Sequence, residues 1–154
     1  MSEITFIASK NSLPEIVRTG ARLINVKDMS QINNQQETGT IKELNEESEL
    51  IFIDDENLFN NLSISRCGIL PNGFKKYITL EYVYIIEARL KSNFIHQTFD
   101  YILNLPKHIE VELWSIWDGY EEQPIKYRKI KRDELSYKDL EFFLDGSCCL
   151  VIEK

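Results

Sequence analysis

Apolar side chains recur along this chain with two different periods, and each change of period marks a new element. Residues 3–8 (Glu3, Ile4, Thr5, Phe6, Ile7, Ala8) form a short β-prone run. Ser12-Leu13-Pro14-Glu15 then has the form of a capping box, with proline in the first turn where its missing N–H does no harm. Leu13, Ile16, Val17, Leu23 and Ile24 follow at helical spacing, interrupted by Gly20, so a helix is predicted over 12–25. From 27 to 49 the period dissolves into amides and acids, which predicts a long acidic surface segment. Leu50, Ile51, Phe52 and Ile53 read as a buried strand. Asp54, Asp55 and Glu56 open a short helix at the positive end of its dipole, with Leu58, Phe59 and Leu62 turned inward. Pro71-Asn72-Gly73 predicts a turn.

The second half is more regular. Ile78, Leu80, Tyr82, Tyr84 and Ile86 alternate over one strand, predicted to be central and covered mainly on one side. Ser92 is placed to cap a helix whose face is Ile95, Phe99, Ile102 and Leu103, ending before Pro106. Residues 109–117 alternate again, and 125–131 read as their hairpin partner across the loop begun by Asp118-Gly119. Ser136-Tyr137-Lys138-Asp139 caps a last helix with Leu140, Phe143 and Leu144 inward, and 148–153 make a final strand. The predicted order is β-α-loop-β-α-β-α-β-β-α-β. That is an α+β chain with alternating elements and a mixed, partly antiparallel sheet, read as a single domain over 1–154 with its acidic segment around 27–49.

Composition narrows the class. With 154 residues, 43% hydrophobic side chains, 8 Phe and 7 Tyr, one continuous core needs no metal or disulfide staple. No apolar run reaches the roughly 18 residues of a membrane span. The N-terminal segment carries an acid where a signal peptide carries a positive cluster, so a cytoplasmic location is expected. Three cysteines suit that compartment. Cys67 stands alone, while the neighbours Cys148 and Cys149 point to opposite faces of a strand and are expected as reduced thiols.

Motifs for catalysis are missing. There is no zinc spacing, no glycine-rich phosphate loop and no G-x-S-x-G, so neither metal nor cofactor is expected and no catalytic residue is assigned. Cys67 beside Arg66 is a weak thiolate candidate, since a nearby cation lowers a thiol pKa. An alternative enzymatic reading, a small hydrolase, would need His96, Glu110 and Glu112 to converge in one pocket. His108 lies at a helix-to-strand junction and reads as a surface residue.

Charge is the informative feature. The net charge is −7, and residues 37–56 hold eight acids against one base, Lys42, so this block equals the whole imbalance. A concentrated acidic block attracts a basic partner and speeds encounter. Asp118, Glu121 and Glu122, with Trp117 and Tyr120, form a second acidic group bearing aromatic anchors. Lys126, Arg128, Lys129, Lys131 and Arg132 suggest nucleic-acid contact in isolation, but on a strand they divide between faces and guard an edge. The expected partner-binding residues are therefore Glu43, Glu46, Glu47, Glu49, Asp54, Asp55, Glu56, Trp117, Asp118, Tyr120, Glu121 and Glu122, meeting a basic protein rather than nucleic acid or membrane.

In size, acidity, aromatic-bearing acidic loops and lack of catalytic motifs, the chain resembles bacterial toxin-immunity proteins of the contact-dependent inhibition or polymorphic toxin type. The resemblance is one of type and carries no residue motif. It implies a non-catalytic protein that occludes a cognate toxin, such as a basic nuclease domain, with acids standing in for phosphate. The other non-enzymatic expectation is an adaptor that binds a partner other than a toxin.

Overall fold

The computed structural model describes residues 3–17, 20–25, 48–118, 122–144 and 146–154. Its elements run β1 (Glu3–Ser9), β2 (Ala21–Asn25), β3 (Glu49–Ile53), α1 (Glu56–Phe59), β4 (Ser63–Arg66), β5 (Tyr82–Glu87), α2 (Lys91–Asn104), β6 (Val111–Trp117), β7 (Lys126–Lys131), α3 (Tyr137–Phe143) and β8 (Cys148–Glu153). The class is α+β with a mixed sheet, as the alternation of elements predicts. Residues 1–17 with 60–154 form one compact unit, and residues 18–59 form a second.

The larger unit is built on a six-stranded sheet of order β4-β5-β1-β6-β8-β7. All its neighbours are antiparallel except β7 and β8. Helix α2 carries the chain from β5 to β6 across the intervening β1, and α3 carries it from β7 to the adjacent β8. Both helices lie on one face, where Ile7, Tyr84, Leu113, Leu150 and Ile152 meet Phe94, Ile102, Leu140 and Phe143 in one cluster. The rings of Phe94 and Phe143 stack at 6.0 Å between centroids, locking α2 to α3. On the opposite face Phe6, Val83, Trp114, Ile116 and Cys149 are covered by Phe74 and Ile78. The Pro71-Asn72-Gly73 turn, with Gly73 at φ 89°, delivers Phe74 edge-on to Phe6 at 5.5 Å. Strand β6 is thus buried on both sides. Leu113 is fully buried, and Leu113→Ala is expected to destabilise the protein by about 2–5 kcal/mol, read as a lower denaturant midpoint at unchanged slope.

Several elements differ from expectation for identifiable reasons. The helix over 12–25 does not form. Leu13 precedes Pro14, which disfavours helical backbone, and its N–H donates to the Tyr84 hydroxyl at 3.0 Å. Ile16 exchanges both backbone hydrogen bonds with Ile64, and residues 21–25 become β2. That pairing also reveals β4, a four-residue strand too short to show a period. The predicted strand over 78–87 begins at Tyr82, because Ile78 and Leu80 leave the sheet and pack on its opposite face. The cap of α2 is Leu90, not Ser92; Phe94 and Tyr101 join its buried face while Leu103 is exposed.

The predicted hairpin between 109–117 and 125–131 is split by β8, which inserts between them. Cys148 to Glu153 can bury both faces, with Cys148 and Leu150 toward the helices and Cys149 opposite. The charged β7 cannot, and takes the edge. The last helix keeps its expected cap: the Asp139 carboxylate accepts from the Ser136 N–H (2.9 Å) and hydroxyl (2.6 Å).

Candidate binding surface

In the unit of residues 18–59, β2 and β3 form an antiparallel ribbon that places Leu23 opposite Ile51 and Ala21 opposite Ile53. Side chains alternate across a strand, so these four share one face, while Arg22, Ile24, Leu50 and Phe52 share the other. Leu23 and Ile51 are 63% and 64% exposed, and Ile53, Phe52 and Leu58 are also exposed. Strand β3 therefore forms where expected but is not the buried strand its composition predicts. Of Leu58, Phe59 and Leu62, only the last two are buried.

Gly20 sets the end of the ribbon. Its φ of 79° suits glycine, its carbonyl accepts from the N–H groups of Asp54 (2.8 Å) and Asp55 (3.0 Å), and a Cβ there would meet the Asp55 carbonyl oxygen. The acids are held in place by the same turn. Asp54 pairs with the Arg22 guanidinium at 3.2 Å, which in turn lies over the Phe52 ring at 5.2 Å. An Asp55 carboxylate oxygen accepts from the N–H groups of Asn57 (2.9 Å) and Leu58 (3.2 Å), capping α1. Glu49 and Glu56 are exposed at the two ends of β3 and its following turn. Glu49, Asp54, Asp55 and Glu56 thus rim a ribbon with exposed aliphatic anchors. Glu43, Glu46 and Glu47 lie outside the described residues.

The second acidic group belongs to the larger unit. Trp117 ends β6 partly exposed, Asp118 and Glu122 are exposed, and Tyr120 and Glu121 lie outside the described residues. Gln123, which the sequence did not single out, organises this connection. Its side-chain amide accepts from the Trp117 N–H (3.1 Å) and donates to the Trp117 carbonyl (3.0 Å), while its N–H donates to the Tyr77 hydroxyl (3.1 Å). Lys76, Tyr77, Glu122, Gln123 and Pro124 line an open cleft of about 550 Å³ beside it. Asp118 and Glu122 flank a connection that crosses β8, not a hairpin.

The basic stretch is already engaged in part. Arg128 pairs with Asp139 at 2.7 Å and Lys129 with Glu153 at 3.3 Å. Arg132 is buried, and its guanidinium donates to the carbonyls of Leu105 (3.0 Å), Pro106 (3.0 Å) and Ile109. It is a structural residue, not a phosphate contact.

The residues of the enzymatic alternative do not converge. His96 is exposed on α2, edge-on to Tyr137 at 4.6 Å, on the helix side of the sheet. The Glu112 carboxylate accepts from the Trp114 indole N–H at 2.9 Å on the opposite face. Glu110 and His108 are exposed. Burial pushes the Cys67 thiol above its usual pKa, outweighing the Ile69 backbone contact and the Arg66 charge, so it is not an activated thiolate. Burial, with Glu112 and Cys148 nearby, likewise pushes the Cys149 thiol well up. All three cysteines are free thiols. Among the described residues no group of three or more His, Cys, Asp or Glu side chains is arranged to hold a metal ion. Among the same residues no helix is long and apolar enough to cross a membrane. No protein-family model, curated protein or solved structure matches the chain.

Proposed function

We propose that the protein is a non-catalytic binder of the toxin-immunity type, which neutralises a basic toxin domain, such as a nuclease, by covering it with its acidic surface. One observation carries this reading: on the β2/β3 ribbon, exposed Leu23 and Ile51 stand beside a rim of Glu49, Asp54, Asp55 and Glu56, and that rim belongs to residues 37–56, whose charge equals the whole net charge. Apolar anchors inside a polar rim are how binding energy is distributed at protein interfaces. The acids steer a basic partner to the surface, and the anchors hold it there. Asp54 and Asp55 also shape the turn, so the residues free to act on encounter are the glutamates. The cytoplasm is the location this reading requires, since the binder must meet an incoming toxin there.

The charge contribution is tested by changing Glu43, Glu46, Glu47 and Glu49 to Gln. Glu49 is exposed and the other three fall in the segment that the sequence predicts to lie at the surface, where charges contribute little to folding, so the unfolding midpoint should hardly move. The association rate with the basic partner should fall severalfold at low salt. For the wild type, raising salt should slow association through screening over about 8–10 Å, and the quadruple variant should lose much of that dependence. Equal association rates for both proteins at low salt would remove residues 37–56 from the interface.

A further inference from the structure

The two outer strands of the main sheet are finished in opposite ways. On β4, Ile64 and Arg66 turn their backbone groups away from β5, and both groups of Ile64 and the N–H of Arg66 are satisfied within the chain. Ile64 exchanges two backbone hydrogen bonds with Ile16, both 2.9 Å, and the Arg66 N–H donates to the Glu15 carboxylate. On β7 the Lys126 N–H donates to the Ser147 carbonyl at 3.1 Å, which fixes the alternation: Lys126, Arg128 and Ile130 face β8. The N–H and C=O groups of Tyr127 and Lys129 and the N–H of Lys131 therefore point outward, where, among the described residues, no further strand pairs; the Lys131 carbonyl instead opens the 3-10 turn of Arg132–Glu134. Five of the six residues of β7 are exposed, and Tyr127 is 65% exposed with its ring edge-on to Trp114 at 5.7 Å.

We infer that the free edge of β7 is a docking strand for an extended acidic segment of a partner protein, added as a seventh strand. The backbone supplies the pairing, as in other cases of strand addition. The side chains choose the occupant. Lys126, Arg128, Lys129 and Lys131 put four cations and no acid on six residues, so a second copy of the same edge is repelled and an acidic strand is drawn in. Arg128 and Lys129 already hold Asp139 and Glu153, while Lys126 and Lys131 have no carboxylate partner among the described residues. Tyr127 offers an apolar platform on the face opposite the helices. This inference does not depend on the acidic ribbon and stands or falls separately from it.

The test is fluorescence anisotropy with a labelled octapeptide of alternating glutamate and valine, against the intact chain. The account predicts saturable binding, weakened about tenfold or more when alternate amides of the peptide are N-methylated, because the outward hydrogen bonds are then lost at unchanged charge. Lys129→Pro removes one outward N–H without breaking the ladder to β8, and should weaken binding more than Lys129→Gln, which removes only the charge. Should Lys129→Pro fail to fold, the N-methylated peptide decides on the wild type alone. Equal binding of both peptides would reduce the edge to a cationic surface. Absence of saturable binding would make its lysines a guard against pairing and overturn the inference.

Discussion

Arg132→Ala is expected to destabilise the protein by about 3 kcal/mol or more, although the sequence places this residue in a basic run at the surface. Two buried carbonyls, those of Leu105 and Ile109, depend on one guanidinium, while that of Pro106 also accepts from the Ile109 N–H at 3.0 Å. Leu105 is the C-cap of α2, so its carbonyl lies at a helix end whose last acceptors have no partner within the helix. Arg132 closes that end and continues through Pro106 to Ile109, fixing how the chain leaves α2 and enters β6. Removing the side chain leaves buried acceptors unsatisfied, which costs about 1–3 kcal/mol each before any water enters. Lysine offers no planar fork of donors, so Arg132→Lys should recover less than half of the loss. Denaturant unfolding of the two variants measures this directly. A midpoint unmoved in Arg132→Ala would show that these carbonyls find other partners.

The second large effect is on binding. Leu23→Thr together with Ile51→Thr keeps residues that suit a strand, and both positions are exposed, so folding should change little. If this pair anchors the partner, the complex should weaken about 100-fold, through faster dissociation rather than slower encounter. The quadruple Gln variant should do the reverse and slow encounter. The two variants thus separate the roles of anchor and rim. Were the Thr variant to dissociate at the wild-type rate, the ribbon face would not be the contact.

How much of this was legible in the sequence depended on how local the deciding interaction was. The α3 cap, the α1 start and the Pro71-Asn72-Gly73 turn rest on residues within a few positions of each other, and they form as read. Strand-favouring composition also located β1, β3 and β8, and alternation located β6. What failed was decided at long range. The segment around Leu13 and Ile16 carries a helix-start motif, but the partners that hold it extended, Ile64 and Tyr84, lie far along the chain. The hairpin between β6 and β7 was plausible until β8, last in sequence, inserted between them. At the candidate surface, the acids were visible as charge, whereas the anchors were not. Leu50 to Ile53 has the composition of a core strand, and only the pairing of β2 with β3 shows that Ile51 and Leu23 stand exposed. Arg132 illustrates the converse: a charge that reads as surface until its three carbonyls are seen.

The claim that the acidic, aliphatic ribbon captures and silences a basic toxin is tested most directly with the native host's own proteins. The wild-type chain and the Leu23→Thr/Ile51→Thr variant serve as parallel baits, and the captured partner is then purified and expressed for an activity assay. The account predicts a basic partner retained by the wild type and lost by the variant. Its toxic or nuclease activity should be abolished by an equimolar amount of wild-type chain and persist with the variant. A partner that stays active when bound, or that both baits retain and inhibit equally, would contradict it.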